Sequence, residues 1–207
     1  MNNASYFVTG TDTNVGKTIV SAILCTKLNY SYWKPIQSGL SEGTDTKLVE
    51  TIIGKEKIIP ELYRLQKPAA PLIAAQAENI KIDFQKIITN YQNIKDPVIV
   101  EGAGGLMVPI TQNRLIIDLI KSLKLSTILV ARTTLGTINH TLLSIEALKK
   151  QGITIAGIIF NKTSETDDPQ VEETISTFAQ TPILGKIPTL SNLDYTSLLT
   201  ASKNITL

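Results

Sequence analysis

Hydrophobic positions along the chain fall into two alternating kinds of segment. Short runs rich in β-branched residues predict strands at 5–9, 32–36, 97–101, 127–131, 153–161 and 183–186. Val98-Ile99-Val100 and Ile128-Leu129-Val130 are continuously apolar, the pattern of strands covered on both faces, and such strands belong to parallel sheets. Longer segments with helical spacing lie between them, at 17–28, 45–53, 83–92, 116–123, 138–151 and 169–179. In the fifth of these, Leu142, Ile145 and Leu148 recur at three-residue steps, and Gly152 follows as a helix stop. The alternation predicts an α/β fold over residues 1–207: a single domain with a doubly wound, mainly parallel sheet and helices on both faces. Ligands of such sheets bind beyond the carboxyl ends of the strands, so the residues just after each strand carry the functional information.

Composition narrows the classes of partner. The 207 residues are 43% hydrophobic and 18% charged, which is enough apolar surface for a folded core. Twenty Lys and Arg against eighteen Asp and Glu leave +2, without the basic excess of a protein that binds nucleic acid or an anionic membrane. Cys25 is the only cysteine, which precludes an internal disulfide and predicts a buried helix residue in a reducing compartment. The first residues lack the basic and apolar regions of a secretion signal, and no apolar run approaches the roughly 18 residues of a membrane span. A cytoplasmic location is expected. The single histidine, His140, has no second histidine with which to build a metal cluster.

The first predicted strand runs directly into Gly10-Thr11-Asp12-Thr13-Asn14-Val15-Gly16-Lys17-Thr18, and a helix follows. This is the setting of a P-loop: backbone amides and a helix amino terminus cradle phosphates, Lys17 reaches their outer oxygens, and the Thr18 hydroxyl binds magnesium. The spacing departs from the usual form, because Thr11 stands where the first glycine is expected and Gly10 lies one residue earlier. Magnesium needs further hard oxygen ligands. Glu101, at the end of the apolar strand and before Gly102-Ala103-Gly104-Gly105, is one candidate, although an acid before glycines also suits a simple turn. Asp45 is another, although it equally suits a helix cap after the loop 38–44.

Taken together, the Gly10–Thr18 loop, Lys34-Pro35 followed by Ser38-Gly39, and Val100-Glu101-Gly102-Ala103-Gly104-Gly105 resemble the dethiobiotin synthetases, ATP-dependent cyclases of the biotin pathway. Pro71-Leu72 and Gly185-Lys186-Ile187-Pro188 extend the resemblance along most of the chain, and the Thr-Asp-Thr form of the loop accommodates the shifted glycine. The departures are a short loop between Ser38 and Asp45 and a compact end after Pro188.

The resemblance implies that 7,8-diaminononanoate, carbon dioxide and ATP, with Mg2+, are converted to dethiobiotin, ADP and phosphate. It implies catalytic roles for Lys17 and Lys34, the latter at the carbamate and the γ-phosphate; position alone would equally make Lys34 a surface lysine. It places ATP at Asn14, Val15, Gly16, Lys17, Thr18 and Ile19, at Glu101, Gly102, Ala103 and Gly104, and at Asp45, with Thr18, Asp45 and Glu101 around the metal. Asn161 and Lys162 stand in a segment like the base-reading Asn-Lys-x-Asp of GTP-binding proteins, with Ser164 in place of the Asp. Adenine is therefore the expected base, read by the Asn161 amide as one donor and one acceptor; the resemblance implies that Pro188, Thr189 and Leu190 line it from the other side. Thr13 and Ser38 are candidates for the substrate's nitrogen end or carbamate. Gly136, Thr137, Ile138 and Asn139 open a helix, and the resemblance implies that this turn holds the substrate carboxylate for a neighbouring subunit, and so a homodimer; the same turn is also an ordinary helix start capped by Thr137. Two other classes share the motif: nucleotide-driven switches that position chromosomes or division sites, and other ATP-dependent amidoligases. The switches carry a second lysine where this chain has Asp12.

Overall fold

The computed structural model describes residues 5–41, 43–163 and 168–207. In chain order the elements are β1 (Tyr6–Gly10), α1 (Lys17–Leu28), β2 (Ser31–Trp33), β3 (Ile36–Ser38), α2 (Asp45–Ile53), β4 (Ile58–Ile59), β5 (Tyr63–Leu65), α3 (Pro71–Ala77) and α4 (Phe84–Gln92). They continue with β6 (Val98–Gly105), β7 (Pro109–Thr111), β8 (Arg114–Leu115), α5 (Ile116–Leu123), β9 (Ser126–Ala131), α6 (Thr137–Lys150), β10 (Ile155–Thr163), α7 (Pro169–Ala179), β11 (Ile183–Pro188) and α8 (Tyr195–Ser202). Seven strands form one sheet in the order β11-β10-β9-β1-β6-β2-β4, and every pairing in it is parallel.

Side-chain alternation along the strands explains the two helical layers. Phe7, Val98, Val100, Trp33, Leu129 and Ile158 face the side covered by α3 to α7, while Val8, Ile99, Tyr32, Ile128, Val130 and Ile159 face α1, α2 and α8. The central strands are thereby buried on both faces, as their unbroken apolar runs predict: Val98, Ile99 and Val100 are all at 0% exposure. Cys25 is buried in α1, as expected, and burial pushes its thiol up. Among the described residues no helix is long and apolar enough to cross a membrane.

Three expectations need correction. The strand expected at 32–36 is broken at Lys34-Pro35: β2 stays in the main sheet, and β3 pairs with β5 in a separate ribbon. Proline has no amide hydrogen to continue the ladder, and its carbonyl instead accepts from the Leu62 and Tyr63 amides. The strand expected to end at Glu101 continues through Gly105, because β1 runs alongside it and pairs Gly10 with Gly105. Residues 102–105 therefore continue the strand, with an irregularity in the pairing and a left-handed Gly104 (φ 73°), and do not reverse the chain. Finally, the helices α3 and α8, the short strand β4 and the β7–β8 hairpin are present without having been expected.

The connections fix where a ligand can sit. From β1 the chain moves outward to β2 and β4, returns to insert β6 beside β1, and then builds β9, β10 and β11 on the opposite flank. The order reverses at β1, so the carboxyl ends of β1, β6 and β2 open onto the crevice where open α/β sheets bind ligands.

Candidate active site

β1 delivers the loop 11–16 and α1 to this edge. Gly16 adopts φ 92°, a left-handed conformation open to glycine, and caps α1 without a side chain. An added Cβ there would lie 1.8 Å from Asn161 Nδ2, so close approach also demands glycine. The first turn of α1 contains no acidic residue, which leaves its amides and the positive helix end for anions. At Gly10 an added Cβ would meet Val15 Cγ2 at 2.5 Å. The shifted glycine is thus the point where the loop folds back over its own strand.

Lys17 begins α1 and is only 7% exposed; its ammonium donates to the Asp12 carbonyl at 2.9 Å. Burial pulls it down to about 8, against the favourable charges of Glu101, Asp45 and Asp12. It is a desolvated cation held inside the loop. The Thr18 hydroxyl is shared between Asp45 Oδ1 at 2.7 Å and Glu101 Oε1 at 3.0 Å.

Glu101 lies inside β6 with its carboxylate wholly buried. A carboxylate there needs partners for both oxygens. Oε2 accepts from the Tyr32 hydroxyl at 2.9 Å, and Oε1 accepts from Lys34 Nζ at 3.0 Å as well as from Thr18. Lys34 also pairs with Asp45 Oδ2. The surface-lysine alternative therefore fails, since Lys34 is 5% exposed. Burial works against its charge, but Glu101 and Asp45 outweigh that and hold the ammonium above the usual lysine range. Burial would likewise raise the Asp45 carboxyl, but Lys34, with help from Thr18, holds it below the usual carboxylate range. Burial first, and then the charge of Glu101, keeps the Tyr32 phenol protonated far above its ordinary value.

Asp45 is the first residue of α2, whose amino end is capped by Thr44, and the Thr44 side chain accepts from the Lys47 amide at 3.1 Å. Gln37 fixes this helix end to the preceding strand: its carbonyl accepts from the Asp45 amide at 3.2 Å and its amide donates to the Ser38 carbonyl at 2.9 Å. Neither Tyr32 nor Gln37 stood out in the sequence, where an aromatic and an amide within an apolar run look like packing.

A cleft of about 910 Å³ opens above this cluster. Its lining comes from the loop and the start of α1 (Thr13, Asn14, Gly16, Lys17, Thr18, Ile19), from Lys34, Ser38 and Asp45, from Glu101, Ala103 and Gly104 of β6, from Lys162, and from Pro68 to Pro71. The remaining expected residues stand elsewhere. Val15 is buried beneath the loop, and Gly102 packs against Phe7. Asn161 is 2% exposed, and its Nδ2 donates to the Val15 carbonyl at 3.0 Å. Its amide braces the loop with one of its two hydrogens. Pro188 and Thr189 are exposed outside the cleft lining, and Leu190 packs on the α1–α8 layer. Gly136, Thr137, Ile138 and Asn139 also lie outside the cleft of their own chain. Gly136 and not Thr137 caps α6, and the Thr137 hydroxyl donates to the Arg132 carbonyl. Ser164 lies outside the described residues.

The donor set is of the kind that holds a hard divalent cation. Among the described residues no group of three or more His, Cys, Asp or Glu side chains is assembled to hold an ion. Two carboxylates and a hydroxyl beside a phosphate-binding loop, with the remaining positions left to water and phosphate, suit magnesium, which is seldom held in an all-protein cage.

Comparison with known proteins agrees with this geometry. A family model described as an AAA domain matches residues 4–197. The ATP-dependent dethiobiotin synthetase BioD of Rhodopseudomonas palustris strain BisB18 is 44% identical over 198 residues, covering 95% of this chain and 92% of that protein. The enzyme of the same name from Brucella anthropi is 42% identical, covering 93% and 89%. Among solved structures, the MinC:MinD cell division protein complex of Aquifex aeolicus aligns with a TM-score of 0.63 at 12% identity, covering 97% of this chain and 94% of that one. A ParA family ATPase from Chlorobium tepidum gives 0.61 at 11%, covering 98% and 99%. At such identities the last two show a shared P-loop NTPase fold and nothing more.

Proposed function

The chain belongs to the ATP-dependent dethiobiotin synthetase family, and from that premise we propose how its cleft performs the reaction. The enzyme is an ATP-dependent ligase of biotin biosynthesis that forms dethiobiotin. The observation that carries the proposal is the convergence of two buried ammonium groups, Lys17 and Lys34, on one cluster of Thr18, Asp45 and Glu101 beneath a phosphate-binding loop.

An amine of 7,8-diaminononanoate takes up carbon dioxide and loses a proton, giving a carbamate. A carbamate oxygen attacks the γ-phosphorus of ATP as the bond to ADP breaks. The second amine then attacks the carbonyl carbon, phosphate leaves, that nitrogen loses a proton, and the ureido ring closes. The loop amides and Lys17 hold the nucleotide phosphates, while Lys34 lies where it can offset the repulsion between carbamate and γ-phosphate. Thr18, Asp45 and Glu101 would hold magnesium, which when bound neutralises charge developing on the phosphates. Asn14, Gly16, Ile19, Ala103, Gly104, Lys162, Thr13 and Ser38 all line the cleft; in this reading the first six serve the nucleotide, and Thr13 and Ser38 the reacting amines. The direct test is ADP release with ATP, bicarbonate and diaminononanoate, omitting each in turn. Turnover that ignores diaminononanoate would sink the proposal and favour a switch-type ATPase, although Asp12 stands where such switches carry their second lysine.

We also read the enzyme as a homodimer acting as a single P-loop unit per chain, in the cytoplasm. The loop before α6 supports the dimer: Leu135 is fully exposed, and residues 136–139 serve no wall of their own cleft. Leu135→Asp is expected to give monomers by light scattering and to raise the KM for diaminononanoate at least about tenfold, with ADP affinity unchanged. A dimeric variant with normal KM would count against a shared site.

Lys17 gives a pH signature. With its ammonium pulled down to about 8, the free protein carries roughly half a proton there at pH 8. Phosphates favour the charged form, so nucleotide binding raises this value. Binding at pH 8 should take up about half a proton, falling to about a tenth at pH 7, and affinity should fall as pH rises through 8. Calorimetry of ADP binding in buffers of different ionisation enthalpy measures the uptake, and its absence at pH 8 would contradict the assignment.

A further inference from the structure

The Tyr32 hydroxyl is a polar group that the reaction does not require and that the fold has buried completely. Tyr32 is 0% exposed and lies in the apolar layer formed by Val20, Ile23, Leu24 and Ile99. Phenylalanine would fill this space as well. A phenol in such a layer must find a partner, and the one it finds is Glu101 Oε2, at 2.9 Å. The sheet register makes the meeting unavoidable: Tyr32 pairs with Ile99 and Trp33 with Val100, so the chain brings both Tyr32 and Lys34 to the side of β6 from which Glu101 projects.

The consequence is a division of labour within one carboxylate. Oε2 is turned inward and held by Tyr32, while Oε1 is left facing Thr18, Lys34 and the cleft. We propose that Tyr32 is a positioning residue that locks the Glu101 carboxylate in this orientation and so sets the enzyme's magnesium requirement, an inference that rests on Glu101 serving the magnesium site. Without the phenol hydroxyl, Oε2 is a buried acceptor with no donor, and the carboxylate must turn to recover one. Turning draws on Thr18 and Lys34, the groups it shares with Asp45, and disperses the oxygen atoms that magnesium needs together.

The test is ADP binding by calorimetry across a magnesium titration, for wild type, Tyr32→Phe, Glu101→Gln and the double variant. Tyr32→Phe is expected to raise the half-saturating magnesium concentration about tenfold, the lower end of what loss of a ligand's hydrogen-bond partner costs in metal affinity, and to leave magnesium-free ADP affinity unchanged. Glu101→Gln is expected to raise it at least as much, and the double variant to match Glu101→Gln alone, since the phenol acts only through the carboxylate. A Tyr32→Phe protein that melts earlier but follows the wild-type magnesium curve would overturn the inference and reduce Tyr32 to a packing residue. So would a double variant with a higher magnesium requirement than Glu101→Gln, a comparison that holds even if the buried carboxylate prevents Tyr32→Phe from folding by itself. If Glu101→Gln itself matched the wild type, the magnesium assignment of Glu101 would fall and the inference with it.

Discussion

Lys17→Ala is expected to lower kcat for dethiobiotin formation by about a thousandfold or more while leaving the protein folded. The magnitude follows from losing a pre-placed cation on a transferring phosphoryl group, for which factors of about 10³ are usual. The prediction for stability comes from burial. The ammonium is desolvated and bonded only to the Asp12 carbonyl among the contacts described, and folding has already forced it down to about 8. Its removal therefore relieves an unfavourable burial, and the melting temperature should be unchanged or higher below pH 8, where the charged form carries that penalty. Phosphate release and thermal melting of the same preparation decide the matter. Near-wild-type turnover would overturn the P-loop assignment, and a collapsed melting temperature would make Lys17 a structural residue.

Lys34→Gln is expected to behave differently. It should lower the diaminononanoate-dependent rate about a hundredfold, with ADP affinity within a few-fold of wild type, because Lys34 serves the carbamate and γ-phosphate more than the bound diphosphate. It should also destabilise the protein. Glu101 is wholly buried, and without Lys34 its charge and that of Asp45 lose their shared counter-ion. Breaking a buried pair costs about 3 kcal/mol, on the order of 10 °C in a protein of this size. Magnesium should restore part of the loss, as a second cation for the same carboxylates. Equal loss of ADP affinity and of ring closure would make Lys34 a nucleotide-binding residue. Unchanged stability would mean that the ion pairs contribute little.

The sequence was most legible where residue chemistry and backbone pattern coincide. Val98-Ile99-Val100 announces a doubly buried strand, and Gly16-Lys17-Thr18 announces a helix start. Lys34 and Asp45 were ambiguous because their significance is the company they keep, and Glu101 lies 67 residues from Lys34 in sequence. Short elements escaped for physical reasons: β4 is two residues long, and α8, Tyr195–Ser202, is short and too weakly amphipathic for its helical period to stand out. Tyr32 was invisible for another reason, since an aromatic in a buried strand is ordinary core until its hydroxyl is seen to meet a carboxylate. That Asn161 braces the loop was not legible, because its bond to the Val15 carbonyl spans 146 residues of sequence.

The placement of β6 between β1 and β2 also dictates an order of events during synthesis. β1 and β2 emerge early but do not pair with one another; each waits for residues 98–105, from the middle of the chain. Until these appear, the nascent chain carries two apolar strands with open edges, the kind of exposure that invites association with other chains. Assembly of the sheet centre is therefore a late, long-range step, slowed by the loops that must close first. The same insertion sets Glu101 of β6 between β1, which leads to Lys17, and β2, which ends just before Lys34. A truncated product ending before β6 would thus have no closed sheet and would lack Glu101, the buried carboxylate that ties Tyr32, Lys34 and Thr18 together.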